Sequence, residues 1–415
     1  MPETEQQTLL FVGAAQVARC TGPPSDGSGD AAAVQTGAAV AVQAGRIAEV
    51  DAEDTLLARY PDARRVDCAG GVLTPGLVDS HTHAVFGRWR ADEYALRSSG
   101  VPYMEIARRG GGINASVRDL RERSEDELIE LALPRLAQML ATGTTTAEVK
   151  SGYGLTTADE IKTLRAIRRL QDLQPIEIIP TFLGAHEVPP EFRDRRSAYV
   201  DLLVDEMIPA VAESKLARFC DVFMEPGVFD SRESRRILEA GLAHGLRPKL
   251  HADELEGSGG AELAAEIGAA SADHLGVISD AGVAALASSS TVATLLPATL
   301  FFLGRRKFAP ARALLEAGAT VALATDFNPG SSPTPNLPFA MTVACSHMQM
   351  SPSEALRAAT AGGAAALELA PGTGTLSPGA PADLALWRAA CIEELPYRLA
   401  TPICDGVWKA GRRVA

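Results

Sequence analysis

Apolar and polar positions follow one pattern in the first part of the chain and another after residue 71. The first part contains short β-like apolar runs, such as 38–42 and 46–50, separated by clusters rich in Gly, Pro, Ser and Asp. From residue 71 an apolar strand, a polar loop and an amphipathic helix recur many times. Because this repeat is typical of βα units with a parallel sheet, we predict a strand-rich head followed by a large α/β unit.

The repeating part is long enough for eight strands. Most of the intervals between the predicted strand ends agree with the about 31 residues per unit that an eightfold barrel requires. We therefore predict a TIM-type (β/α)8 barrel over residues 73–371. The predicted carboxyl ends of its strands are His83, Lys150, His186, Glu225, His251, His274, Pro297 and Asp326.

The tail of the chain resembles the head. After a Gly- and Pro-rich segment at 372–381, β-like runs return at 383–387 and 406–410. Since nearby termini are common in domains, we expect residues 1–72 and 372–415 to form one discontinuous, β-sandwich-like domain.

Three helix starts carry capping signals. We expect N-caps at Ser124, Thr157 and Ser351, each followed three residues later by a glutamate. Pro352 suits the first position of the last of these helices.

Composition narrows the classes of partner. The chain has 39 Lys and Arg against 52 Asp and Glu, a net charge of −13, so we expect no nucleic-acid partner. An anionic substrate would need specific local cations, because the overall field repels it.

The cellular location of the protein is predicted from three further features of the sequence. Acidic residues begin the chain where a secretory signal would be basic, and the six cysteines are scattered. The uncharged stretch 281–304 contains serines, threonines and a proline, so we predict a buried helix end and a buried strand there. We expect a cytoplasmic protein with no membrane contact.

Five of the seven histidines fall at predicted carboxyl ends of strands, where barrel active sites are built. His81 and His83 alternate on one strand and therefore face the same way. With His251 and Asp326 they offer three nitrogens and one carboxylate, which suits Zn²⁺ or iron and leaves room for an activated water.

Two ionisable residues accompany this predicted metal site. Glu254 follows the ligand His251 by three residues, and His274 ends the sixth strand. A carboxylate beside the activated water can relay its proton to a leaving nitrogen, while an imidazole can stabilise an oxyanion. We predict Glu254, His274 and Asp326 as catalytic residues.

The motifs as a group resemble the imidazolonepropionases of the amidohydrolase superfamily. The superfamily marks are VLTPGLVDSHTH at 72–83, the histidines of strands five and six, and the aspartate of strand eight. The narrower family marks are GRWRADEY (87–94), RRGGGI (108–113), EVKSGYGL (148–155), TFLGAHEVP (181–189), HADE (251–254) and TDFNPGSSPT (325–334).

This resemblance implies hydrolytic ring opening of 4-imidazolone-5-propanoate, an anionic substrate, to N-formimidoyl-L-glutamate in L-histidine degradation. It also implies one Zn²⁺ or Fe²⁺/Fe³⁺ per subunit, bound by His81, His83, His251 and Asp326, and a homodimer. The implied substrate and product contacts are Arg90, Tyr103, Tyr153, His186, Glu254, Asn328, Gly330 and Ser331.

Other readings stay open at this point. Another cyclic-amide hydrolase or a deaminase of the superfamily would use the same metal-activated water, although a neutral nucleobase would not require Arg90, Tyr103 and Tyr153. A non-catalytic scaffold would not require a complete ligand set. Glu225 stands where two-metal members carry a carboxylated lysine, so we expect one metal and expect Lys150 to pair with a buried charge such as Glu148.

Overall fold

The structure, a computed structural model of the chain, describes residues 7–24, 30–101, 105 and 110–415. The strands that it describes are, in chain order, β1 Leu9–Val12, β2 Gln16–Ala18, β3 Val34–Gln35, β4 Ala38–Gln43, β5 Arg46–Ala52, β6 Arg64–Asp67, β7 Val72–Pro75, β8 Leu77–Asp79, β9 Thr144–Lys150, β10 Glu177–Ala185, β11 Phe219–Met224, β12 Arg247–Ala252, β13 Ser271–His274, β14 Val292–Leu295, β15 Val321–Leu323, β16 Leu384–Trp387, β17 Cys404–Lys409 and β18 Arg412–Arg413.

The α-helices of the same ranges connect and cover these strands. They are α1 Glu53–Arg59, α2 Ala91–Ser98, α3 Ile113–Glu122, α4 Glu125–Ala141, α5 Thr157–Leu173, α6 Arg196–Leu202, α7 Ile208–Ser214, α8 Ser231–Ala243, α9 Gly260–Glu266, α10 Asp280–Ala287, α11 Pro297–Phe302, α12 Ala311–Glu316, α13 Leu337–His347, α14 Pro352–Arg357, α15 Gly363–Ala366 and α16 Glu394–Tyr397. A 3₁₀-helix covers Pro190–Arg195, and π-helical turns cover Leu203–Met207 and Ala358–Gly362. None of the helices described here is long and apolar enough to cross a membrane.

Strands β8 to β15 form the predicted eight-stranded parallel barrel, each pairing with its neighbour in sequence. The segments after β8 and β15 close it: Thr82 bridges Phe327, the N–H of His83 donates to the carbonyl of Phe327 (2.8 Å), and the N–H of Asp326 donates to the carbonyl of His81 (3.0 Å). Closure of the barrel therefore brings His81 and His83 beside Asp326.

The predicted strand ends are confirmed to different degrees. Strands β9 and β13 end at Lys150 and His274, as predicted. Strand β8 ends at Asp79 and β15 at Leu323, so the ends predicted at His83 and Asp326 were too late. The segments after β8 and β15 that carry the predicted metal ligands lie beyond the regular ladder.

Helix starts follow local side-chain chemistry. Ser124 and Ser351 form the predicted capping boxes, and Pro352 opens its helix. The N-cap predicted at Thr157 was wrong by one residue: Thr156 accepts from the N–H of Asp159 (3.1 Å), whereas the hydroxyl of Thr157 donates to Glu206. The stretch 281–304 holds the predicted helix end and strand, followed by helix α11.

Strands from both ends of the chain share one sheet, because β16 pairs antiparallel with β7 in the order β18-β17-β16-β7-β2-β3. A second sheet has the order β5-β4-β1-β6. Apolar side chains of both sheets meet in one buried cluster, where the rings of Phe11 and Trp408 pack edge to face at 5.1 Å. This packing agrees with the sandwich-like arrangement expected of the two termini.

The terminal sheets rest against the barrel through Trp387 of β16. A Cβ on Gly143, which precedes β9 with φ of 94°, would lie 2.6 Å from that indole ring. Glycine is therefore required at this contact by both backbone and space.

Candidate active site

The four predicted metal ligands lie together at the carboxyl-terminal end of the barrel. Nε2 of His81 and Nε2 of His83 are each 3.5 Å from Oδ1 of Asp326. The ring of His251, on β12, lies 4.5 Å from the ring of His81 between centroids. All four residues are buried, so the structure places them where the sequence predicted.

Unpartnered atoms in this group suit a metal ion. Nε2 of His81 and Nε2 of His251 are buried and have no hydrogen-bond partner in the described part of the chain. Nδ1 of His81 lies 2.6 Å from Asp273, and Nδ1 of His251 lies 3.0 Å from Asp221. If each Nδ1–H donates its hydrogen bond to the carboxylate, both Nε2 atoms keep a free lone pair, as in metal-ligating histidines generally. The donor set fits zinc or iron.

Burial shifts the pKa of three predicted ligands, which keeps two histidines neutral but also favours protonation of Asp326. Burial lowers the pKa of His81 and His83 well below the usual range, so both imidazoles are neutral. Burial raises the pKa of Asp326 to about 6, although Thr299 opposes this rise by donating to its Oδ2 at 2.6 Å. The sequence analysis did not anticipate Thr299.

The backbone at this end of the barrel is strained. Asp326 has φ of 52° and His274 has φ of 80°. Asp253, which directly follows β12, has φ of 51°. Left-handed conformations are uncommon for residues other than glycine and cluster at functional sites.

A layer of buried charges lies directly beneath the histidines. Nζ of Lys150 is 2.7 Å from Asp221 and 2.8 Å from Glu148, and Nζ of Lys249 is 3.0 Å from Glu148. Asp273 lies 3.7 Å from Lys150. The predicted pairing of Lys150 with Glu148 is confirmed.

Three members of this layer were missed by the sequence analysis: Lys249, Asp221 and Asp273. A signal was present, since Lys249 alternates with His251 on β12 and therefore faces the barrel interior as well. A charged residue at an interior position needs a buried partner, which the partner strands supply.

Glu254 and His274, predicted to handle protons, face each other. Oε2 of Glu254 lies 3.7 Å from Nε2 of His274. Burial raises the pKa of Glu254 to about 8, and the negative charges of Asp326 and Glu225 act in the same direction. Burial lowers the pKa of His274 well below its usual range. A carboxyl group that binds a proton near neutral pH is suited to proton transfer.

His186 and Tyr153 line the same cleft beside the metal ligands. The ring of His186 stacks on that of His83 at 5.1 Å, and the ring of Tyr153 lies 5.3 Å from that of His186. Nδ1 of His186 donates to the carbonyl of Gly152 at 2.9 Å, which leaves Nε2 as an acceptor. Burial lowers the pKa of His186 to about 3. Tyr103 falls outside the described residues.

The loop that carries Tyr153 is shaped by Glu160. This buried carboxylate accepts from the N–H groups of Gly152 (3.1 Å), Gly154 (2.8 Å) and Leu155 (2.8 Å). The prediction that Glu160 completes a capping box at its helix start was therefore wrong, because its side chain turns to the active-site loop instead.

Arg90 is a buried cation in the loop between β8 and helix α2. Its Nε and Nη1 have no hydrogen-bond partner within the described ranges, and Nε lies 3.7 Å from the carboxylate of Glu93. A Cβ on Gly330 would lie 1.2 Å from Nη2, so only glycine leaves space for this guanidinium. The structure thus places Arg90 against the loop that follows β15.

That loop links Arg90 to the ligand Asp326. Oδ1 of Asn328 accepts from the N–H groups of Gly330 (2.8 Å) and Ser331 (2.7 Å), and its Nδ2 donates to the carbonyl of Asp326 (2.6 Å). The structure brings the predicted contacts Asn328, Gly330 and Ser331 together, and the amide of Asn328 also holds the turn itself.

Glu225 and Lys150 lie where the sequence predicted them, after the fourth barrel strand and in a buried charge pair, respectively. Glu225 follows β11 and its carboxylate accepts from backbone N–H groups of Leu255 and Glu256, whereas Lys150 lies in the charge layer.

Comparisons with known proteins agree with this geometry. The sequence profile of the amidohydrolase family matches residues 72–414, and that of an imidazolonepropionase-like composite domain of bacteria matches residues 38–63. The imidazolonepropionase of Symbiobacterium thermophilum is 50% identical over 98% of this chain and 97% of its own. That of Myxococcus xanthus is 47% identical over 97% of this chain and 96% of its own.

Solved structures share the fold at low sequence identity. Guanine deaminase of E. coli is similar with a TM-score of 0.76 and 15% identity, covering 99% of both chains. A zinc-bound adenosine deaminase from Xanthomonas campestris gives 0.72 and 19% identity, covering 99% of this chain and 93% of its own.

Proposed function

The chain belongs to the imidazolonepropionase family of the amidohydrolases, and we propose that it hydrolyses the ring amide of 4-imidazolone-5-propanoate to N-formimidoyl-L-glutamate in L-histidine degradation. The observation that carries this proposal is the buried guanidinium of Arg90, which has two nitrogens without hydrogen-bond partners in the described ranges and lies against the loop that follows Asp326. A carboxylate-bearing substrate explains why a cation is buried beside a hydrolytic centre.

The metal would be held by His81, His83, His251 and Asp326 as one Zn²⁺ or Fe²⁺/Fe³⁺ per subunit. The unpartnered Nε2 atoms of His81 and His251, and the lowered pKa of His81 and His83, support this assignment. When bound, such an ion acts as a Lewis acid and lowers the pKa of water to about 7.

In the proposed reaction, water adds to the ring carbonyl carbon and the bond from that carbon to the ring nitrogen breaks. Glu254 accepts the proton of the attacking water and returns it to the leaving nitrogen, for which its raised pKa is suited. His274 faces the carbonyl oxygen and stabilises its developing negative charge. Asp326 orients the attacking water with its carboxylate.

Substrate orientation is assigned to the cleft around Arg90. The guanidinium binds the propanoate as a planar fork and supplies locally the positive charge that a chain of net charge −13 lacks. The proposed further contacts are Tyr103, Tyr153, His186, Asn328, Gly330 and Ser331.

A deaminase or another cyclic-amide hydrolase is the alternative. Similarity to guanine and adenosine deaminases supports it at the level of the fold alone. Deamination of a neutral nucleobase gives no reason for a buried arginine at this position. A homodimer in the cytoplasm is proposed as the working form.

The reaction is tested with purified protein of known metal content and 4-imidazolone-5-propanoate. We expect loss of the ultraviolet absorbance of the imidazolone ring and appearance of N-formimidoyl-L-glutamate by mass spectrometry. An imidazolone that lacks the propanoate is the matched control and should react far more slowly. Failure to open the anionic ring, together with turnover of a nucleobase, would overturn the proposal in favour of a deaminase.

A further inference from the structure

The loop 253–261 carries Glu254 away from β12, and its second half is held by its own first residue. The carboxylate of Asp253 accepts from the N–H groups of Ser258 (2.7 Å), Gly259 (3.1 Å), Gly260 (3.3 Å) and Ala261 (3.0 Å). These bonds fix the approach to helix α9 and leave the position of Glu254 to be set from elsewhere.

The first half of the loop is held by a residue of the neighbouring strand. Oε1 of Glu225, directly after β11, accepts from the N–H of Leu255 at 3.2 Å and from the N–H of Glu256 at 2.6 Å. Two successive backbone N–H groups therefore converge on one side chain.

Stability alone does not account for Glu225. The residue is 5% exposed, and its Oε2 has no hydrogen-bond partner in the part of the chain that is described. A buried carboxylate oxygen without a hydrogen-bond partner destabilises the folded protein. Its charge also lies close enough to Glu254 to disfavour ionisation there. These costs point to a role in the site.

We propose that Glu225 is a positioning residue, which fixes the backbone of Glu254 to Glu256 and thereby holds the Glu254 carboxylate beside His274. The proposal rests on the proposed function, because it assigns Glu225 a part in the proton relay. Glu225 follows β11, the fourth strand of the barrel, where two-metal amidohydrolases carry a ligand of the second metal. In this chain the same position would hold the loop that carries Glu254.

The first experiment compares Glu225→Ala with Glu225→Gln in metal-loaded enzyme. Alanine removes the acceptor, so we expect kcat to fall about 10- to 100-fold through misplacement of Glu254, with KM and metal content nearly unchanged. Glutamine keeps a carbonyl acceptor and should restore kcat to within about threefold of the wild type. Glu256→Ala, which removes an exposed carboxylate from the same loop, is the matched control and should have wild-type kcat.

A double-mutant cycle separates positioning from general damage. If Glu225 acts through Glu254, Glu225→Ala should lower the residual kcat of the Glu254→Gln enzyme by less than about twofold. An equal loss in both backgrounds, or wild-type kcat in Glu225→Ala, would overturn the proposal. If Glu225→Ala does not fold, Glu225→Asp withdraws the acceptor by one methylene and should give an intermediate loss, and wild-type kcat in that variant would contradict the proposal.

Amide hydrogen exchange tests the positioning without any substrate. The amides of Leu255 and Glu256 should exchange faster in Glu225→Ala than in the wild type, while Glu225→Gln and Glu256→Ala keep the wild-type rate. Unchanged amide exchange in Glu225→Ala would show that Glu225 does not hold the loop in place. A wild-type enzyme that leaves the imidazolone intact would instead refute the proposed function.

Discussion

The rim of the active site and the charge layer beneath it both contain buried polar side chains. The two regions differ in whether the atoms of these side chains are paired with other residues. At the rim, Nε2 of His81, Nε2 of His251 and two nitrogens of Arg90 are buried and have no hydrogen-bond partner among the described residues. In the layer beneath, Lys150 and Lys249 are fully buried and each contacts carboxylates within 3.0 Å.

This difference separates atoms that bind ligands from atoms that hold them in place. An unpartnered buried donor or acceptor is unfavourable unless a ligand satisfies it, so the rim atoms support the proposed metal and substrate sites. The charges of the lower layer are paired with one another, and its Asp221 and Asp273 fix the rings of His251 and His81. Rim substitutions should therefore change turnover and binding, and substitutions in the layer should change stability.

The largest effect is expected at the rim, for Glu254→Gln. Glutamine cannot accept the proton of the attacking water, so kcat should fall by about 10²- to 10⁴-fold. Metal content and the free energy of unfolding should stay at wild-type values. Steady-state kinetics with metal analysis measures this, and near-normal kcat would remove Glu254 from the proton relay.

The second-largest effect, a loss of stability, is expected for Lys150→Met in the charge layer. This change leaves Asp221 and Glu148 without their shared ammonium, and the unpaired buried charge should lower the free energy of unfolding by about 3–5 kcal/mol. Urea denaturation measures the loss.

The matched control for that change is Arg168→Met, which breaks an exposed pair with Asp172. It should lower stability by less than about 1 kcal/mol. Equal losses in the two variants would show that the buried layer contributes no more than a surface ion pair.

A smaller effect is expected for Arg90→Ala. Loss of a charged hydrogen-bonding partner worth about 1.5–3 kcal/mol should raise KM about 10- to 100-fold, with a smaller change in kcat. Arg88→Ala, two residues earlier and exposed, should leave KM unchanged. If KM for the anionic substrate is the same in both variants, the propanoate is bound by another cation.

The last prediction concerns pH and requires no substitution: kcat should show an acid limb, at half its maximum at the midpoint and lower still below it. Burial raises the pKa of Glu254 above its ordinary value to about 8, so the carboxyl group gains a proton, and loses its function as a base, as the pH falls through that value. A bound cation lowers this pKa, which places the acid limb of kcat between 4.5 and 8. At the midpoint kcat should be half its maximum, and a limb that persists in Glu254→Gln would belong to another group.

The sequence predicted the barrel, the ligands and the proton-handling pair because these depend on local signals. Strand alternation places His81 and His83 on one side, and strand ends meet at one rim. The buried layer depends on contacts between different strands, such as Lys150 with Asp221, which periodicity does not reveal. Glu160 was misassigned for the same reason, since its partners are loop N–H groups rather than its own helix start.

The most direct test of the central claim is a titration of metal-depleted protein with Zn²⁺ or Fe²⁺ while the opening of 4-imidazolone-5-propanoate is followed. We predict that activity rises linearly and stops at one equivalent per chain, with N-formimidoyl-L-glutamate as the product. Activity that requires two equivalents, or full metal occupancy without ring opening, would contradict the account.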